Sequence, residues 1–142
     1  TTVFMKERIL LHNFITTLKI EGDWTKKVRL SESFLSMLPD LELLMIGDNC
    51  FSYQSWLVIK EMNNLKRITV GNDCFTQPSR EYDCYPTAFF SVVDCPQLLG
   101  IEIGNRSFFK CGTCEFRYLP SLEEMRFGNH CFQWASLELR GD

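Results

Sequence analysis

The chain has 142 residues, enough for one domain of ordinary size or for part of a longer one. Hydrophobic residues make up 45% of it, and 12 Phe, 3 Trp and 4 Tyr exclude a chain that is mostly disordered. The net charge of −3, with no block of Lys or Arg, disfavours a nucleic-acid partner. No stretch reaches the roughly 18 to 20 apolar residues that a membrane-spanning helix needs, so no membrane insertion is expected.

The first predicted elements precede the clear repeats of the sequence. Residues 15–23 hold a faint copy of a pattern that returns four times further along the chain. Ser31 to Leu38 is predicted as the one ordinary helix, which ends before Pro39 because proline cannot continue a helix.

Four segments then share one template of eleven residues, apolar at positions 1, 4, 6 and 11 and with Gly at position 7. They are Leu41–Phe51, Leu65–Phe75, Leu98–Phe108 and Leu122–Phe132. Gly71 follows Gly47 by 24 residues, and Gly128 follows Gly104 by 24. The longer interval between the second and third copies holds a nine-residue insertion within residues 76–87, where turn-forming residues collect.

Both halves of each repeat are predicted to be extended. Apolar residues at positions 4 and 6 follow the two-residue period of a strand, and Gly at position 7 allows a tight corner. The second halves are rich in β-branched and aromatic residues over 56–59, 88–93, 114–118 and 136–139. The prediction is a mainly β chain with two short strands per 24-residue repeat, and at most short helical turns at Asn49–Tyr53 and its equivalents.

The template resembles the leucine-rich repeat, in which Leu41, Leu44, Ile46, Asn49 and Phe51 fill the expected positions. The run Ile-Gly-x-x-Cys-Phe is similar to the Ile-Gly-x-x-Ala-Phe signature of the BspA-like class. The resemblance implies a leucine-rich-repeat solenoid of about five coils over residues 1–142, as a fragment of a longer array. It also implies recognition or adhesion at the cell surface or after secretion, whereas cysteines that are all free would indicate the cytoplasm.

The seven cysteines divide into two groups. Cys50, Cys74 and Cys131 occupy position 10 of the template, and Ser107 fills the same position in the third copy. A ladder of thiols for metal or redox chemistry is one interpretation. Small buried residues packed beside the Phe of position 11 are the favoured one, because free Cys is among the most buried residue types.

The other cysteines leave several alternatives open. Cys111 and Cys114 form a C-x-x-C pair, and Cys84 in the insertion lies near enough in the predicted array to form a disulfide with one of them. Zinc would need two further ligands, for which His130 and Cys95 are candidates. Unpaired thiols are the default expectation, and neither a metal nor a cofactor is predicted.

No catalytic motif is present, so the chain is predicted to be a non-enzymatic binding module. Its partner would bind the concave sheet through the outward residues at positions 3, 5 and 8. The predicted partner-binding residues are Lys19, Leu43, Met45, Arg67, Thr69, Glu102, Glu124 and Arg126. Leu43 and Met45 supply an apolar anchor within a charged rim, as protein interfaces require. The competing interpretation is a solvated sheet face.

Neighbouring subunits are the alternative to a separate protein partner. The sequence reaches Asp142 in the middle of a repeat, and no polar capping repeat follows in the chain. The alternative function is therefore a structural subunit that stacks end to end on its own copies in a fibre or larger assembly.

Overall fold

The alternating apolar residues of the template form short parallel strands. A computed structural model of the chain describes residues 2–5, 14–22, 25, 29–54, 56–76, 85–109, 111–132 and 136–140, with the backbone alone for 2–5, 85–88 and 136–140. The elements in this part of the chain are β1 (Thr2–Met5), β2 (Thr17–Ile20), α1 (Glu32–Ser36), β3 (Leu43–Ile46), β4 (Trp56–Lys60), β5 (Arg67–Val70), β6 (Tyr85–Val93), β7 (Gly100–Ile103), β8 (Cys111–Arg117), β9 (Glu124–Phe127) and β10 (Ser136–Arg140). The prediction of a mainly β chain with little helix is confirmed.

The strands form two parallel sheets. One has six strands in the order β1-β2-β3-β5-β7-β9, and the other has four in the order β10-β8-β6-β4. From β3 onward the chain passes from one sheet to the other at each successive strand. The strands of the six-stranded sheet pair at equal template positions, so that Leu44, Ile68, Ile101 and Met125 form one row. The spacing of the glycines thus predicts the register.

The inward side chains of both sheets belong to one hydrophobic core. Leu44 and Ile68 are at most 1% exposed in the first sheet, and Leu57 and Phe90 are fully buried in the second. Stacked rings from position 11 run through this core. The ring centroids of neighbouring pairs are 5.5, 4.7 and 5.2 Å apart along the series Phe51, Phe75, Phe108 and Phe132.

The predicted helix is present and lies against the edge of the four-stranded sheet. Ser31 caps its N-terminus, because the Ser31 Oγ accepts a hydrogen bond of 3.0 Å from the Phe34 amide. Leu35 packs into the core, and the helix ends before Pro39 as expected. Its contacts with β4 cover one end of the sheet.

No helical turn forms at Asn49–Tyr53, where the sequence predicted at most short ones. Asn49 and Phe51 have φ values of 62° and 53°, which are left-handed and incompatible with a right-handed helical turn. The equivalent residues of the other three copies share this conformation. The second strand of the insertion-bearing repeat also begins earlier than predicted, at Tyr85, which shortens the loop within residues 76–87.

Candidate functional site

Two rows of side chains lie on the outer face of the six-stranded sheet. The row at template position 3 contains Thr17, Leu43, Arg67, Gly100 and Glu124, and the row at position 5 contains Lys19, Met45, Thr69, Glu102 and Arg126. All eight residues predicted from the sequence therefore share one face, here called the outer face. It has an apolar part over β3 and a charged part over β5, β7 and β9.

The apolar part is small and bordered by charge. Met45 is 36% exposed, and Leu43 two residues earlier is half-buried. The Nζ atom of Lys66 lies 2.7 Å from the Glu42 carboxylate along this border. The hydrogen bond from Lys66 lowers the pKa of the Glu42 carboxyl. Because both of these charged side chains are well exposed, the pair contributes little stability and serves mainly to define the rim.

The charged part holds three side chains linked by ion pairs, here called the ionic cluster. Arg67 Nη1 lies 3.2 Å from Glu124 Oε1, and Arg126 Nη2 lies 3.3 Å from Glu124 Oε2. Arg67 and Glu124 stand on β5 and β9, with β7 between them. The pair closes across Gly100, where an added β-carbon would lie 2.6 Å from Arg67 Nη1. The missing side chain thus makes the ion pair possible.

The sequence predicted the members of the ionic cluster but not their contact. The available signal was a glycine at position 3, where the other copies carry a side chain. Since position 3 of one repeat lies beside position 3 of the next, a glycine there opens a gap between its two neighbours. Reading the three residues as one column would have predicted the pair.

A ladder of side-chain hydrogen bonds lies at the corner after each strand, beside the outer face. Asp48 Oδ1 accepts a hydrogen bond of 2.8 Å from the backbone N–H of Asn72, and Asn72 Oδ1 accepts one of 2.7 Å from the backbone N–H of Asn105. Asn105 Oδ1 accepts one of 2.8 Å from the Asn129 amide. The sequence placed position 8 among the outward binding residues. In the structure this position joins each repeat to the next, and the signal was an Asp or Asn after every template Gly.

The residues at position 9 of the template contribute differently. Arg106 Nε and Nη2 donate hydrogen bonds of 2.7 and 2.8 Å to the two carboxylate oxygens of Asp73. This bidentate contact lowers the pKa of the Asp73 carboxyl and raises that of the Arg106 guanidinium. The contact joins neighbouring repeats on the surface.

The position-10 cysteines have structural contacts. Cys74 Sγ donates to the Gly47 carbonyl at 3.0 Å, and Cys131 Sγ lies 2.7 Å from the Gly104 carbonyl. Ser107 Oγ makes the same contact with the Gly71 carbonyl at 2.6 Å. The thiol and the hydroxyl thus donate the same hydrogen bond, to the carbonyl oxygen of the template Gly in the preceding repeat.

Burial of the thiols predicts a loss of stability at alkaline pH. Desolvation raises the pKa of the Cys74 thiol from 9.0 to about 12 and that of Cys95 to about 11. Above pH 9 the unfolded chain therefore loses protons that the folded chain keeps, and stability present below pH 9 is lost as the pH rises. From pH 8 to 10.5, the Cys74 thiol alone should remove about 2 kcal/mol from the free energy of unfolding.

Urea unfolding under reducing conditions at pH 8 and pH 10.5 measures this loss. The control is Cys74→Ser, which keeps a donor for the Gly47 carbonyl, as Ser107 does in its own repeat, but does not titrate in this range. Its alkaline loss should be smaller than that of the wild type by the same amount. Equal losses in the two proteins would contradict a protonated Cys74 in the folded state.

The remaining cysteines do not assemble a metal site within the part of the chain that the structure describes. Cys111 and Cys114 are buried thiols in β8, and Cys111 Sγ lies 2.9 Å from the Thr113 carbonyl. No group of three or more His, Cys, Asp or Glu side chains suited to a metal ion occurs among the described residues. Cys84 lies outside them, so its disulfide with Cys111 or Cys114 stays a prediction.

No family model, curated protein or solved structure matches the chain. None of the helices in the described ranges is long and apolar enough to cross a membrane. Any functional conclusion must therefore rest on the outer face and on the packing of the repeats.

Proposed function

We propose that this chain is a leucine-rich-repeat solenoid of about five coils, nearest the BspA-like class, that works as a non-enzymatic protein-interaction module. The observation that carries the proposal is the outer face, where an apolar pair and the ionic cluster lie side by side on in-register strands. By the resemblance, the setting is recognition or adhesion at the cell surface or after secretion.

The hydrogen bonds between successive copies support the solenoid. The amide of each template Gly donates to the position-6 carbonyl of the preceding copy at 2.8 Å, in all four copies. The ladder at position 8 and the stacked rings at position 11 repeat with the same order. Each repeat is thus bonded chiefly to its two neighbours, which is the defining property of a solenoid.

The composition of the outer face supports partner binding. Interfaces typically have a few apolar anchors that exclude water and a polar rim that fixes orientation. Leu43 and Met45 supply the anchors, and Arg67 is held in place by Glu124 before any partner arrives. A side chain that is already ordered loses less entropy on binding, so the ionic cluster favours one docking geometry.

The double variant Leu43→Glu with Met45→Glu tests the proposal. A partner would be trapped by a photoreactive residue at Thr69, between the apolar part and the ionic cluster, and its affinity for purified protein then measured. We expect the double variant to weaken binding by at least about 30-fold, since anchor residues contribute roughly 2 kcal/mol or more. The fold should persist, because Met45 is exposed and Leu43 lies outside the core.

The control is Thr113→Glu, which places a single added carboxylate, one fewer than in the double variant, on the outward side of β8 in the other sheet. It should bind with unchanged affinity. Equal affinity of the double variant and the wild type, or an equal loss in the control, would refute binding through the outer face.

One observation favours the second candidate, the self-stacking subunit. Phe127 at position 6 of β9 is 39% exposed, whereas the equivalent Ile46 and Ile103 are at most 2% exposed. A second copy would cover it through its own β1, but the sequence has Lys6 after β1 where the four template copies have Gly. Sedimentation over a range of concentrations separates the two functions, because a monomer at every concentration is incompatible with self-stacking.

A further inference from the structure

A second surface lies on the opposite side of the molecule and is independent of the outer face. An open groove of about 360 Å³ runs between helix α1 and the outward side of the four-stranded sheet. Its lining consists of Ser31, Glu32, Ser33, Trp56, Val58 and Phe89. The groove thus has a polar wall from the helix and an apolar wall from β4 and β6.

The apolar wall contains two stacked aromatic rings. Trp56 and Phe89 are neighbours on paired strands, and their rings stack with centroids 6.4 Å apart and planes inclined by 20°. Within the described part of the chain β4 is the last strand of its sheet, so no described strand lies beyond Trp56 on that edge. Helix α1 stands on that side, across the groove.

The polar wall is acidic. Glu32 is exposed in the first turn of α1, and among the described residues of the lining it is the one that carries a charge. Within the described ranges, no Lys, Arg or His nitrogen lies within 4.0 Å of its carboxylate. Ser31 Oγ already accepts the capping bond from the Phe34 amide, whereas the Glu32 carboxylate keeps its acceptor capacity for a ligand.

We propose that the groove binds an arginine side chain of a partner protein, with the guanidinium stacked on the Trp56 ring and hydrogen-bonded to the Glu32 carboxylate. A planar cation is attracted to the face of an indole, and its fork of N–H donors matches a carboxylate. The negative charge of the groove selects against anionic ligands. The volume, at the lower end of the roughly 300 to 1,000 Å³ of ligand pockets, suits one side chain rather than a folded domain.

Titration with a pair of isosteric peptides tests this site. The probe is acetyl-Gly-Arg-Gly-amide, and its match is acetyl-Gly-citrulline-Gly-amide, which has the same shape without the charge. The readout is the indole N–H resonance of Trp56 in ¹⁵N-labelled protein, identified by its disappearance in Trp56→Phe. The arginine peptide should shift this resonance in a saturable way, with an affinity roughly tenfold above that of citrulline, the combined gain of an exposed cation–π contact and an exposed ion pair.

Two carboxylate variants make the result specific. Glu32→Gln should weaken binding of the arginine peptide about fivefold, and added salt should weaken it further, since the ion pair is exposed. Glu123→Gln neutralises an exposed carboxylate away from the groove and should leave the affinity unchanged. Equal affinities for the two peptides, equal affinities of Glu32→Gln and wild type, or no arginine-dependent shift of Trp56 would overturn the proposal. A lysine peptide that binds as well as the arginine peptide would overturn the selectivity for a planar cation.

Discussion

Replacing Phe108 by alanine is expected to lower the free energy of unfolding by about 4 kcal/mol, the usual range for a buried Phe being roughly 3 to 5. Phe108 is fully buried and lies where the stacked rings of position 11 meet Phe90 of β6. Its ring centroid is 4.7 Å from that of Phe75, 4.5 Å from Phe90 and 5.2 Å from Phe132. Removing the ring leaves a cavity that these three neighbouring rings would all have to move to close.

Urea denaturation with a common slope for wild type and variant measures the change. Phe127→Ala is the matched control, because this side chain also contacts Phe132, with centroids 5.2 Å apart, but is 39% exposed on the edge strand. This substitution should lower the free energy of unfolding by about 1 to 2 kcal/mol, because folding removes less apolar surface from water at Phe127 than at Phe108. Equal losses of stability at the two positions would contradict the expectation that the contribution of each ring follows its burial.

The strands and their register could be predicted because they depend on a pattern that the chain repeats. Alternating apolar residues predict the strand. Gly47 and Gly71 occupy the same template position, and aligning them predicts the pairing of β3 with β5. The left-handed conformation of Phe51 and its equivalents could not be predicted in this way. A bulky residue avoids that region when considered alone, and its cost of roughly 1 to 2 kcal/mol is offset only by burial in the finished stack.

The candidate site was predictable in its members and not in its contacts. Lys19 and Arg126 could be placed on one face from template position alone. The contact between Arg67 and Glu124 depends on the missing side chain at Gly100. The hydrogen bond that Asp48 accepts depends on how closely the backbone of the next repeat approaches at the corner. The groove beside Trp56 was not foreseen, because it requires the helix to lie against the edge of the second sheet rather than elsewhere.

Gly104→Ala is expected to destabilise the protein by about 3 kcal/mol, although glycine to alanine within a strand is ordinarily favourable by roughly 0.5 to 1. A β-carbon at this position would lie 2.6 Å from Asn72 Oδ1 and 2.6 Å from the carbonyl carbon and oxygen of Gly71. The obstacle is mostly backbone of the preceding repeat, which cannot move without breaking the bond of 2.8 Å from the Gly104 amide to the Val70 carbonyl.

The glycine at position 104 is thus required by the close approach of the preceding repeat. The same substitution at Gly47, in the first template copy, provides the control. At Gly47 the added β-carbon would lie 3.3 Å from both the Glu21 Cβ and the Ile20 carbonyl oxygen, and no atom of the preceding repeat comes closer. Gly47→Ala should therefore change the free energy of unfolding by less than about 1 kcal/mol. Comparable losses in the two variants, measured by urea unfolding, would mean that the corner conformation rather than the packed neighbour imposes the glycine.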